Sequence, residues 1–170
     1  MASPDEWFNG TLDAFVTGTL PAYSVFDLGL SPRLGINKLP RAQILMRQNI
    51  LRKAVEKHEM DLVCLRNLPS SISGPIMIFD SNSDNRSVVW VLDIFYGAKR
   101  VVAVTEYMKH ADFGMIHMVK SVHPRDVEHF ARWEKLGLLI YKKEVAKQPL
   151  QDSARYNCEQ QADESLAMSK

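Results

Sequence analysis

The spacing of hydrophobic positions changes along the chain, and each change predicts a different kind of element. Residues 1–22 are weakly patterned and broken by Gly10, Gly18 and Pro21, which predicts a short helix or an arm laid on the domain. Ser24–Leu28 reads as a short strand, Ser31-Pro32 and Leu39-Pro40 as turns, and Gln43–Met46 as a second short strand. From Gln48 the apolar positions fall three and four apart. Leu51, Val55, His58 and Leu62 share one face, widened by Ile50 and Ala54, so a helix is predicted over 48–58. Arg47, Arg52, Lys53 and Lys57 lie off that stripe. Asp61 is placed to cap a second short helix ending near Leu68-Pro69.

Beyond this point the pattern suits strands. Pro75–Phe79 is a short apolar run, Ser81–Arg86 a polar loop, and Ser87–Asp93 a strand with Val88, Trp90 and Leu92 opposite Val89 and Val91. Tyr96-Gly97-Ala98 predicts a hairpin turn into Arg100–Glu106. Lys109–Gly114 predicts a further turn, and Met115–Ser121 a returning strand whose faces separate as Ile116, Met118, Lys120 and as His117, Val119, Ser121. Pro124–Leu136 predicts a helix with Pro124 at its first position, Asp126 and Glu128 at its positive end and Gly137 as its stop. Leu138–Tyr141 is a last short strand. The sum is an α+β domain, with N-terminal helices packed on a small antiparallel sheet and one helix inserted before the last strand. The expected organisation is an arm over 1–22, the domain over 23–147, and a polar disordered tail or linker over 148–170.

Composition adds limits. Hydrophobic residues make up 46% of the 170 residues, enough for a real core, and the net charge is only +1. The charge is unevenly spread, however: residues 1–32 carry −4, 33–57 carry +6, 58–96 carry −3 and 97–147 carry +4. Two basic blocks around an acidic one suggest a local anionic site, against the alternative of an ordinary mixed surface. Cys64 and Cys158 lack metal-ligand spacing, and Cys64 reads as a buried free thiol. No apolar run reaches membrane-spanning length and no basic signal-like start is present, so the expectation is a cytoplasmic domain with no membrane association. Phosphate-loop, dinucleotide and nucleophile-elbow motifs are missing, which removes support for kinase, dehydrogenase and α/β-hydrolase readings.

The chemistry concentrates at Lys120-Ser121-Val122-His123-Pro124-Arg125. Read as a strand turning directly into a helix, this run offers free backbone N–H groups beside a hydroxyl, an imidazole and two cations, a fitting cradle for a phosphate. His58 is either a satisfied core histidine or a general acid–base group. Ser121 bonds the turn backbone or donates to a phosphate oxygen; His123 caps the helix or serves as a second acid–base group. Lys120 and Arg125 are surface charges taken singly and phosphate ligands taken together. Tyr141, Lys142 and Lys143 end the last strand, where lysines commonly protect an edge. Histidine and carboxylate spacings give no metal motif, so no metal or other cofactor is expected.

The colinear segments LRKAVEKH, DLVCLRNLP, GPIMIFDS, SVVWVLDIF, RVVAVTEY, MVKSVHPRD and GLLIYKKE resemble the C-terminal domain of phage MuF proteins, from about Leu28 to Ala146. That domain is grouped with nuclease-like toxins of the barnase, EndoU, colicin and RelE class. The resemblance implies an RNase-toxin-like α+β fold and a toxin or phage-delivered effector role beside other modules. It implies site residues at His58, Ser121, Tyr141 and Lys142; the family pattern does not demand a histidine at His123. Together, residues and resemblance lead to the expectation of a metal-independent endoribonuclease. His58 takes the 2′-hydroxyl proton, His123 or Tyr141 protonates the leaving oxygen, and Ser121, Lys120, Arg125 and Lys142 hold the phosphate. The expected partners are RNA, tRNA among the options, and an acidic immunity or antitoxin protein. The alternative is an inactive phage module that binds nucleic acid or protein.

Overall fold

The computed structural model describes residues 2–144 and the pair 156–157. Helix α1 (Pro4–Val16) starts at a reciprocal cap: Glu6 N–H donates to the Ser3 hydroxyl at 3.2 Å, and Ser3 N–H donates to the Glu6 carboxylate at 2.6 Å. Its Phe8 and Leu12 are buried, with Phe8 set edge-on to Phe26, so the N-terminal segment is a helix seated on the core. Strands β1 (Val25–Leu30) and β2 (Gln43–Arg47) follow as an antiparallel pair. Helix α2 (Gln48–Glu56) buries Ile50, Leu51 and Ala54. It ends two residues before the predicted limit. Met60 N–H donates back to the Ala54 carbonyl at 3.1 Å, and Glu59, at φ 53°, turns the chain away, so His58 stands just past the last turn.

Asp61 caps α3 (Leu62–Leu65) by accepting from Val63 N–H at 3.0 Å. Pro69 does not end this helix. It lies in the first turn of a separate helix, α4 (Leu68–Ser73), where its missing N–H has no partner to lose. Four consecutive strands then run antiparallel: β3 (Met77–Asp80), β4 (Ser87–Tyr96), β5 (Lys99–His110) and β6 (Gly114–Arg125). Gly97, at φ 60°, opens the β4–β5 hairpin turn. After α5 (Glu128–Lys135), β7 (Leu139–Lys142) pairs with β3. The order across the sheet is β1-β2-β6-β5-β4-β3-β7, and Tyr156–Asn157 (β8) pairs parallel to Ile94 and Phe95 of β4. The fold is α+β as expected, with one helix before β7. The sheet is mixed, because β2 runs parallel to β6. The rest of the segment expected as a tail, 148–170, lies outside the described residues.

The sheet carries two main cores and a small third cluster of Leu45, Ile116 and Met118 where β2 meets β6. Trp90, Leu92, Ile78, Val101, Ala103, Val119 and Val122 lie in the first, with the buried positions of α1 to α4. Phe79, Val89, Val91 and Val102 form the second with Phe130 of α5. Strand β4 is buried on both faces, which is why its sequence is nearly all apolar. Cys64 is buried as expected but carries a disulfide, not a free thiol.

The largest departure from the sequence reading concerns β6. It continues through Pro124, opposite Val101, to Arg125, opposite Arg100. The predicted helix over 124–136 therefore shrinks to Glu128–Lys135, and no helix starts beside His123. Proline is tolerated here because β2 ends against Val119, leaving the rest of β6 without a strand on that side among the described residues.

His117 is fully buried, donates from Nε2 to the Pro40 carbonyl at 2.8 Å, and leaves Nδ1 without a partner among the described residues. Burial holds its pKa below the ordinary 6.5. The unfolded chain therefore binds this proton at a higher pH than the folded one. Its contribution is complete above about pH 6.5 and declines as pH falls towards the folded value, by up to about 1.4 kcal/mol per pH unit. Urea midpoints measured from pH 8 to pH 5 are expected to fall on acidification. His117→Gln, which retains a donor for Pro40 and does not titrate, is expected to lessen the fall.

Candidate active site

A bulge in β6 builds the site. Val119 is paired with Thr105 and Ser121 with Val104, so Lys120 is an extra residue on the β6 side. Strict alternation would keep Ser121 on the face of His117 and Val119. The extra residue instead turns Ser121, His123 and Arg125 to the face shared by their cross-strand neighbours Val104 and Val102. There they line a cleft of about 480 Å³, floored by Val89, Val102 and Val104 and walled by the 80–84 loop and Trp133.

Hydrogen bonding fixes the state of His123. Arg125 Nη2 lies 3.2 Å from His123 Nε2, and a guanidinium has only donors, so Nε2 accepts and carries no proton. The proton of the neutral ring is then on Nδ1, which faces Ser121 Oγ at 3.4 Å. His123 is kept neutral by burial first, then by Arg125, His58 and Lys57, which together lower its pKa to about 4. Ser121 Oγ accepts from the imidazole, leaving its own hydrogen free to point elsewhere. That orientation suits a donor to an anion and leaves the serine without a base to activate it as a nucleophile.

His58 approaches from the end of α2. Its ring centroid is 5.2 Å from that of His123, at an interplanar angle of 33°. Neither nitrogen of His58 has a hydrogen-bond partner among the described residues. Burial, and then the neighbouring Lys57 charge, lower its pKa, so the ring is neutral near pH 7 and able to accept a proton. Lys57 is the site residue missed by sequence reasoning. It acts electrostatically on both histidines. Its place off the buried stripe, immediately before His58, was the available signal. Arg125 also lies over the Trp133 ring, 5.6 Å from its centroid, so Trp133 serves the cleft as well as the core around Phe130.

Other expected residues are placed differently. Lys120 borders the cleft, but its ammonium donates to Asp84 at 3.1 Å and Ser87 at 3.3 Å and pairs with Glu106 at 3.5 Å. Arg86 N–H, the Ser87 hydroxyl and Lys120 hold the Asp84 carboxyl well below the usual carboxylate range, and Asp84 in turn raises the Lys120 pKa. Lys120 is thus tied to a local charge network. Tyr141 and Lys142 lie on β7, four strand spacings or roughly 19 Å from β6. Tyr141 packs against the first core, opposite Ile78, and Lys142 donates to Glu134 of α5 at 2.8 Å. Neither is brought to the two histidines. Among the described residues no cluster of three His, Cys, Asp or Glu side chains is arranged to hold a metal ion, and no helix is long and apolar enough to cross a membrane.

The family model of the phage MuF C-terminal domain matches residues 49–148. No curated protein and no solved structure matches the chain. The matched stretch begins within α2 and runs past β7, taking in His58, Ser121, His123 and Arg125 while leaving α1, β1 and β2 outside. It covers more than half of the sequence, and the chain belongs to the phage MuF C-terminal domain family.

Proposed function

We propose that this domain is a metal-independent endoribonuclease, acting as a toxin or effector module. The observation that carries the reading is the pairing of His58 with His123 beside the cleft, with Ser121, Arg125 and Lys57 around them. His58 takes the proton of a ribose 2′-hydroxyl. The 2′-oxygen bonds to the adjacent phosphorus, the bond from phosphorus to the 5′-oxygen breaks, and a 2′,3′-cyclic phosphate is left. Ser121 donates to a phosphate oxygen, and Arg125 with Lys57 stabilises the negative charge. His123 is a positioning residue: both ring nitrogens are engaged in holding Ser121 and Arg125. The leaving oxygen departs beside a cation and takes its proton from water, and the protonated His58 returns its own to solvent.

Cleavage of a defined RNA in the presence of EDTA tests the reading. Full activity with chelator, and none on the 2′-O-methylated RNA of the same sequence, is expected. Abolition by EDTA, or equal cleavage of both RNAs, contradicts it. As a toxin, the domain would have a dedicated acidic inhibitor covering the cleft.

A second reading is a binding module without catalysis. One observation favours it: neither group first expected to protonate the leaving oxygen is free to do so, since His123 is neutral and doubly engaged and Tyr141 lies across the sheet. Binding of RNA without any product would select this reading.

A further inference from the structure

Helix α2 delivers His58, and its solvent side is unusually basic. Arg52, Lys53 and Lys57 are exposed along it and Arg47 is exposed at its start. None of the four makes an ion pair among the described residues. Glu56, the one acid of the helix, pairs with none of them. A helix favours cations near its C-terminus, which accounts for Lys53 and Lys57. Arg47 has the opposite placement. It stands at the N-cap with no capping hydrogen bond, and the first turn has no acid to offset it. A cation there opposes the helix dipole, so local stability does not explain it. These cations are spread around the exposed side of the helix over on the order of 15 Å of its length, and the last of them, Lys57, is close enough to act on both His58 and His123.

We infer that the exposed basic surface of α2, made by Arg47, Arg52, Lys53 and Lys57, is a track for the phosphates of single-stranded RNA, guiding the strand around α2 to the histidine pair. The inference rests on the endoribonuclease reading for the direction of the strand, but binding tests it apart from cleavage. The surface offers charge without aromatic groups, so it reads backbone and not sequence.

The probe is a fluorescent 2′-O-methyl RNA 12-mer, which has the phosphates and lacks the attacking hydroxyl. Binding to the full chain is followed by anisotropy across a salt series. Arg52→Glu/Lys53→Glu is expected to weaken binding about tenfold or more and to reduce the slope of log affinity against log salt by about 1.4, the loss of two phosphate contacts to a single strand. Lys109→Glu/Lys143→Glu makes the same change in net charge at the far end of the β5–β6 hairpin and after β7, and is expected to shift the affinity by less than about twofold. Arg47→Asp supplies a better N-cap and is expected to weaken binding while raising the melting temperature, a combination no purely structural role produces. Equal losses in the two double variants, unchanged affinity in Arg52→Glu/Lys53→Glu, or no binding by the wild type overturns the track. Cleavage with track-independent binding leaves the nuclease standing and removes the track. Track-dependent binding without cleavage does the reverse.

Discussion

Replacing His58 with alanine is expected to lower RNA cleavage by roughly 10²–10⁴-fold, the range of a lost general base. The fold should survive the change. His58 lies past the end of α2, is partly exposed, and makes no side-chain hydrogen bond among the described residues. Its removal takes away one ring contact, with His123, and leaves the Ser121–His123–Arg125 chain in place. The melting temperature should stay within a few degrees of wild type. A second consequence separates His58 from its neighbour. With His58 as the base and His123 already neutral, the rate should rise with pH as His58 loses its proton and then level off near neutrality. A bell-shaped profile with an acidic limb and a basic limb of comparable steepness would point instead to a paired acid. Wild-type cleavage by the alanine variant, purified to remove contaminating nucleases, would exclude His58 from the chemistry.

The largest effect on stability is expected at Trp90. This residue is fully buried at the centre of β4, between β3 and β5, and its indole N–H donates to the Thr105 hydroxyl at 2.7 Å. His117 packs edge-on to it, at 6.1 Å between centroids. Trp90→Ala removes a large side chain that its rigid neighbours cannot replace, at a cost of about 3–5 kcal/mol. Against a total of roughly 5–15 kcal/mol for a domain of this size, the variant should be largely or wholly unfolded in mild urea. Trp90→Phe keeps most of the packing and strands the buried Thr105 hydroxyl, for a smaller loss of about 1–3 kcal/mol. Equilibrium urea unfolding ranks the two. Equal and small losses would show that β4 is not the doubly covered centre of the sheet.

Much of this fold is legible in the sequence because local signals and tertiary context agree. Asp61 caps a helix, Gly97 opens a hairpin, and the apolar run around Trp90 is a strand buried on both faces. The failures arise where context overrides a local signal. Pro69 and Pro124 both suit the first turn of a helix. Pro69 occupies such a turn, whereas Pro124 lies in a strand because β2 has already ended and no neighbour needs its missing N–H. A local reading cannot distinguish the two. The bulge at Lys120 has no signature in hydrophobic alternation, yet it decides which face Ser121, His123 and Arg125 occupy. The sequence reading therefore grouped Ser121, His123 and Arg125 through a different geometry, a helix start in place of a bulged strand edge.

The site was legible to a similar degree. His58, Ser121, His123 and Arg125 are gathered in space, and no pattern in the sequence betrays that both nitrogens of His123 are engaged. Lys120 looked free because its partners, Asp84 and Glu106, come from other strands and loops far away in the chain. Tyr141 and Lys142 ended a short strand whose place at the opposite edge depends on β7 pairing with β3 rather than with β6. Lys57 was overlooked for the opposite reason: its place immediately before His58 was a signal, but it reads first as one more lysine on a basic helix.

The chemistry assigned to His58 predicts the end groups of the product. A defined RNA oligomer, incubated with the purified chain in EDTA and analysed by mass spectrometry, should yield 5′-hydroxyl fragments and fragments ending in a 2′,3′-cyclic phosphate. Fragments ending in a 3′-hydroxyl, or RNA that remains intact beside folded protein, would contradict the account.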